Sequence, residues 1–201
     1  MISRQRFGAV KQQYGHYASW AVWAAEGEKP KDGMGDISCF DEPSDALLAT
    51  LNPGVVLVGL NISRAVKRPF GNFHPDYPEA QDYKLRFALR GTTFWGGYLT
   101  DIIKDFEEKV SGKMRGYLKR HPDFERENIR LFVEELDAIG STSPTLVALG
   151  VDPYAILARN LGNRFRILKA SHYSMYISKE KYRQRFDQLC EQHRQSSLAG
   201  S

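Results

Sequence analysis

The run Val55-Val56-Leu57-Val58-Gly59-Leu60 constrains the fold more than any other stretch of this chain. An apolar run with no polar alternation suits a parallel strand buried on both faces, and such a strand needs helices on either side of its sheet. Asn52-Pro53-Gly54 turns the chain into it, and Ser44 is the expected N-cap of a short helix over residues 45–51. Further strands are expected at 94–103, 144–149 and 164–171. Helical patterns lie between and after them at 82–89, 122–139, 152–161 and 178–193, the second with Ile129, Phe132, Val133 and Leu136 on one face. Asp152 reads as the cap of the third. Residues 12–25, with Tyr17, Trp20, Trp23 and Ala24 at helical spacing, read as an N-terminal helix, and 27–35 as a polar loop. Residues 104–121 are a charged excursion with no assigned structure. Strands alternating with helices predict an α/β fold, a three-layer α/β/α sandwich around a mostly parallel four-stranded sheet.

With 201 residues, 42% hydrophobic and 26% charged, the chain buries one sizeable core. A single domain over 1–201 is expected, with 1–40 packing on it as helix and loop and 191–201 as a flexible tail. The formal charge of +4 is compatible with nucleic acid without indicating it, because 28 basic residues stand against 24 acidic ones. Cys39 and Cys190 are too few for a disulfide framework or a four-thiolate metal site, and His74 and His121 do not complete a ligand set. No run spans a bilayer and no signal-type segment opens the sequence, so a cytoplasmic protein without metal or organic cofactor is expected. Walker, GxGxxG and GxSxG patterns are absent from the sequence, which removes the motifs of nucleotide hydrolysis, dinucleotide redox chemistry and α/β-hydrolase chemistry.

Ligands of open α/β sheets bind outside the carboxyl ends of the strands, where this sequence has Asn61, Asp101 and His172. Each has two readings. Asn61 is either a turn residue bonding its own backbone or a carboxamide that positions water. Asp101 either caps Lys104 or a helix, or reads a ligand as an acceptor. His172 is either a satisfied structural histidine or a polar group in the turn His172-Tyr173-Ser174. The loop after Asn61 holds Arg64, Lys67 and Arg68 with Phe70 and Phe73, fit for phosphates and a planar ring, although such basic runs are commonly just solvated.

The order of these segments, over residues 50–190, resembles the uracil-DNA glycosylase superfamily. Gly59-Leu60-Asn61-Ile62-Ser63 stands in place of that family's Gly-x-Asn-Pro-Gly, closest to its mismatch-specific, Asn-type branch. Phe73, or next Phe70, matches the aromatic that stacks on the flipped base, and Tyr98-Leu99-Thr100-Asp101 the strand whose last residue reads the base edge. Pro144 to Gly150 is similar to the next strand, and His172-Tyr173-Ser174-Met175-Tyr176 matches His-Pro-Ser with its DNA-inserting loop. Ile62 and Tyr173 stand where prolines are usual.

The resemblance implies a DNA glycosylase, with Asn61 positioning water and His172 stabilising the departing base. Arg64, Lys67, Arg68, Ser171 and Ser174 would hold phosphates, and Met175 or Tyr176 would fill the gap in the stack. Uracil-reading members carry Asn where this chain has Asp101. An ionised carboxylate opposes O4 of uracil but accepts from the N4 amino group of cytosine, a difference of about 1 to 3 kcal/mol. The expected substrate is therefore an amino-bearing, cytosine-type base in a setting of repair or of defence against modified phage DNA. DNA is the implied partner, with no obligate protein partner. Two alternatives are a catalytically inactive nucleic-acid-binding module of the same fold and an enzyme acting on a free nucleoside or nucleotide.

Overall fold

The computed structural model describes residues 2–199, and of 196–199 the backbone alone. Helix α1 (Arg4–Tyr14) leads to strand β1 (Ser19–Trp20), helix α2 (Asp45–Thr50) and strand β2 (Asn52–Gly59). Helix α3 (Tyr83–Leu89), strand β3 (Gly97–Asp101), helices α4 (Ser111–Arg120) and α5 (Pro122–Ala138) and strand β4 (Thr145–Leu149) follow. Helix α6 (Val151–Leu161), strand β5 (Arg166–Ala170) and helix α7 (Lys179–Ala199) complete the chain.

One mixed sheet has the order β1-β3-β2-β4-β5. β2 pairs parallel with β3 and β4, β4 pairs parallel with β5, and β1 pairs antiparallel with β3. This corrects the expectation of four mostly parallel strands, and the fifth strand comes from the segment expected to be the N-terminal helix. The helix ends at Tyr14, and the chain beyond it runs extended along the edge of β3. After a turn at 15–17, extended backbone sends Ala18 and Trp20 to one hydrophobic cluster and Ala21 and Trp23 to the other, whereas a helix would present them all to one. At the other end α7 runs through Ala199, so most of the expected tail is helical, and 200–201 lie outside the described residues.

The central strands are dry on both faces. Val56, Val58, Leu146 and Ala148 pack beneath α1, α5 and α6, while Val55, Leu57, Val147 and Leu149 pack against α3 and α7. Edge strand β5 exposes Lys169, whose ammonium lies over the Tyr154 ring at 5.3 Å, a charge that discourages further strand pairing. Ser44 caps α2, accepting from Leu47 N at 3.1 Å. Gly150, not Asp152, occupies the N-cap of α6, and its φ of 128° is a conformation glycine alone tolerates freely. Asp152 instead sits in the first turn, where a carboxylate complements the helix dipole. Among the described residues no helix is long and apolar enough to cross a membrane, and no group of three or more His, Cys, Asp or Glu could hold a metal ion.

The buried face of α5 differs from the apolar stripe in its sequence, because it includes Asn128 and Glu135 beside Phe132 and Leu136. Glu135 is fully buried and accepts from Tyr98 Oη (2.7 Å) and Thr100 Oγ1 (2.9 Å), and it pairs with buried Lys104. The ammonium also donates to Thr100 Oγ1 at 2.9 Å, and Lys104 N donates to Asn128 Oδ1 at 2.6 Å. α5 is thereby bonded to β3 and to the chain leaving it. Removing one partner strands a buried charge, so Glu135→Ala should lower unfolding free energy in urea by about 3 to 5 kcal/mol. A loss within about 0.5 kcal/mol, the usual size for exposed substitutions, would show that the pair is not dry.

Candidate functional site

The four parallel strands end along one edge of the sheet. β2 continues past Gly59 beside the chain leaving β3, since Ile102 N donates to Gly59 O (3.0 Å), Ile103 N to Leu60 O (2.9 Å) and Glu108 N to Ile62 O (3.2 Å). β4 ends at Gly150, whose N–H donates to Ala170 O of β5 at 3.0 Å. This backbone pairing fixes the strand ends before any side chain contributes.

Asp101 and Phe73 meet above Gly59. A Cβ at Gly59 would lie 2.2 Å from Asp101 Oδ1 and 3.3 Å from Phe73 Cζ, so only glycine leaves room for both. Both side chains are buried, at 3% and 4% exposure, and a ligand reaches the carboxyl only if Phe73 or its neighbours move. Asn72 Nδ2 donates to Asp101 Oδ2 at 2.8 Å and to Tyr17 O at 2.6 Å. Desolvation, partly offset by the Asn72 bond, raises the Asp101 pKa to about 7. Asp82 is buried and hydrogen-bonded to the Tyr173 side chain, and burial raises its pKa to about 6. The Tyr173 ring meets Phe73 edge-on at 6.4 Å and stacks on His172 at 4.2 Å. Asp101, Phe73, Tyr173 and His172 are therefore one contiguous group.

His172 is exposed at the surface, yet the protein around its ring lowers its pKa by desolvation. Its Nδ1 accepts from Ser174 N at 3.1 Å and lies 2.7 Å from Ser174 Oγ. A neutral ring so bonded carries its proton on Nε2 and presents a donor.

Asn61 behaves first as a structural residue. Its Nδ2 donates to Ile62 O (2.9 Å), Phe106 O (3.0 Å) and Glu108 O (2.8 Å), stapling the loop after β3 to the end of β2. The amide is thus held in one orientation and only its Oδ1 is left for a ligand or water. Asp101 does not cap Lys104, which Glu135 takes instead.

Phe70 and Phe73 both have positive φ, 63° and 64°, a strained conformation for bulky residues that costs about 1 to 2 kcal/mol each. Hydrogen bonds to the backbone of the two residues hold it: Phe70 N donates to Gly15 O (2.7 Å), Ser19 Oγ to Phe70 O (2.7 Å) and Trp23 Nε1 to Phe73 O (3.1 Å). Phe70 is fully buried against Phe7 and Phe40 in the cluster on the other side of the sheet, so it is a core residue and not a ring open to a base. In the basic loop, Arg64 lies over the Tyr77 ring at 4.1 Å and Arg68 pairs with Asp41 at 2.8 Å, while Lys67 is exposed without an ion pair among the described residues.

The turn after β5 is fastened from below. Arg185 Nη1 donates to Ser171 Oγ (2.6 Å) and contacts Met175 Sδ (3.2 Å), Tyr182 Oη donates to Ser171 O (2.9 Å) and Lys84 Nζ to Met175 O (3.1 Å). Met175 and Tyr176 stay exposed, Tyr176 completely. Sequence reasoning missed Asn72, Asp82, Lys84 and the Tyr173 hydroxyl. Asp82 read only as a helix start, and its burial is set by Tyr173, far along the chain. No protein family model matches the chain, and no curated protein does.

From about pH 4 the unfolded chain releases protons that folded Asp82 and Asp101 keep, so these two groups favour the fold at low pH and lose that contribution as pH rises toward 6 and 7. His74, buried with its pKa lowered to about 3, acts in the opposite sense below its ordinary value. Comparing wild type with Asp101→Asn isolates Asp101. The stability of wild type relative to the variant should fall between pH 4 and 7 by up to about 1.4 kcal/mol per pH unit in urea titrations. A pH-independent difference would show that Asp101 is not protonated in the fold.

Proposed function

We propose that the chain is a monofunctional DNA glycosylase that flips a damaged or modified base and hydrolyses its N-glycosidic bond, preferring an amino-bearing, cytosine-type base over uracil. The observation that carries this reading is the buried carboxyl of Asp101 beside Phe73, next to the Tyr173 and His172 rings at the carboxyl edge of the parallel strands. Phe73 stacks on the extruded base and Asp101 reads its edge. Asn61, its amide fixed by three carbonyls, orients the attacking water through Oδ1. Neutral His172 donates from Nε2 to the oxygen on which charge develops as the base departs. Lys67, Arg64 and Arg68 meet phosphates, the latter two after leaving Tyr77 and Asp41, and Met175 or Tyr176 fills the stack. Cytoplasmic repair and defence against modified phage DNA both fit this chemistry.

A carboxyl with a pKa of about 7 gives the base preference a pH dependence. Ionised Asp101 accepts from an amino group, whereas the protonated form donates to O4 of uracil. Oligonucleotides carrying uracil, cytosine, 5-substituted cytosines or hypoxanthine, cleaved with alkali at abasic sites, should show an amino-bearing base favoured at pH 8 and the margin over uracil narrowing at pH 6. Asp101→Asn should shift the ratio toward uracil by about 5- to 150-fold, the equivalent of about 1 to 3 kcal/mol. Uracil released faster than every amino-bearing base at pH 8 would defeat the argument. His172→Ala should lower turnover by about 100- to 1000-fold with little loss of DNA affinity.

The closed packing of Phe73 over Asp101 favours a second reading, an inactive nucleic-acid-binding module. Binding without abasic sites on any substrate is its expected signature.

A further inference from the structure

Helix α4 carries Lys113, Arg115, Lys119 and Arg120 in ten residues and no acidic side chain. Arg115 lies 3.6 Å from Asp152, but Lys113, Lys119 and Arg120 form no ion pair among the described residues. Several cations on other helices are matched, Arg4 by Asp45, Arg130 by Glu127 and Glu134, Arg159 by Glu125 and Arg183 by Asp187, while Arg6, Lys181 and Arg185 form no ion pair among the described residues. Charge alone on an exposed helix is ordinary. The surroundings of α4 are not.

A cleft of about 380 Å³ runs along the helix, lined by Phe106, Tyr117, Gly112, Gly116, Lys113 and Arg120. Glu108 also lines it, with its carboxylate accepting from Val110 N at 2.9 Å. A second cleft, of about 620 Å³, lies on the opposite side between α4, α5 and α6, with Arg115 and Lys119 in its wall. The Tyr117 ring is held by Phe106 (5.0 Å), His121 (4.3 Å) and Phe124 (5.3 Å), which makes it a fixed platform. Gly112 and Gly116, one turn apart, form a floor without side chains. A Cβ at 112 would meet only the Arg115 guanidinium, at 3.9 Å, and one at 116 only that of Arg120, at 3.4 Å. The bare floor therefore serves no packing within the protein.

We propose that this cleft holds a nucleotide of single-stranded nucleic acid, its base against Tyr117 and its phosphates on Lys113 and Arg120. A cationic groove with an aromatic platform is the general way in which unpaired strands are held. The inference rests on the nucleic-acid reading above and extends it. Phe106 and Glu108, in the cleft wall, are the residues whose carbonyls the Asn61 amide binds, so cleft and strand end form one tethered unit. A strand held on α4 is delivered along that edge.

The test is fluorescence anisotropy of the full chain with labelled oligothymidylate across a salt series. Lys113→Ser with Arg120→Ser should weaken binding at least about tenfold and make the log–log salt slope shallower by about 1.4, for two lost phosphate contacts. Tyr117→Ala should weaken it about 5- to 150-fold with the slope unchanged. Gly112→Leu, which fills the floor at an open helical position, should weaken binding while the thermal midpoint is kept or raised. Unchanged affinity and slope in these variants would overturn the inference. So would an equal effect of Tyr117→Ala on duplex binding, or equal losses toward phosphatidylserine vesicles, which would mark a surface for polyanions in general. Base release plays no part in this readout. A chain that binds through α4 but releases no base would sink the hydrolytic reading and keep this one, and excision by a chain whose variants bind normally would do the reverse.

Discussion

The buried contact between Lys104 and Glu135 governs how the chain leaves β3, and the candidate site is built on that exit. A charged pair in a dry interior must be bonded on every side, and here Thr100 and Tyr98 complete the set from β3, while Asn128 of α5 accepts from the Lys104 backbone N–H. The Tyr17 and Phe132 rings at 4.8 and 5.2 Å from the ammonium close the cage. Because Lys104 is fixed three residues after Asp101, the intervening chain has no freedom to slide. It pairs with Gly59 and Leu60, and Asp101 is pressed onto the Gly59 backbone.

This geometry changes what Asp101 is. Strand-end carboxylates in water are acceptors, but desolvation raises the pKa of this one to about 7, so neutral and ionised forms are both populated near neutral pH. The buried carboxyls of Glu135 and, less strongly, Asp82 make a further negative charge at Asp101 costlier. The group therefore stands between two hydrogen-bonding identities, an acceptor when ionised and a donor when neutral.

Much of the fold was legible because the central strands and the helices between them carry strong local patterns. The apolar runs around Val56 and Val147 needed no tertiary information, and neither did Ser44 before α2 or Pro122 at the start of α5. The N-terminal aromatic segment was misread because Tyr17, Trp20 and Trp23 suit a helical period and an extended edge equally, and the presence of a free β3 edge decides between them. α4 carries two glycines, which weaken its local helical signal, and its helicity leans on the burial of Met114 and Leu118. At the site, the strand ends were visible in sequence, but the partners were not. The three carbonyls on Asn61, the burial of Asp82 and the division of Phe70 from Phe73 all depend on contacts between distant segments.

The loop bearing Phe73 hangs from the N-terminal segment, through Gly15, Ser19 and Trp23, and that segment is joined to the sheet by the two residues of β1 and by Ala21, which bonds Gly96 and Gly97. Two left-handed phenylalanines are thus anchored to the shortest strand in the molecule. Moving Phe73 away from Asp101 would therefore strain the bonds to the N-terminal segment as well as the packing above Gly59. How tightly Phe73 is held over Asp101 is consequently set at the far edge of the sheet, by how firmly the N-terminal segment grips β3.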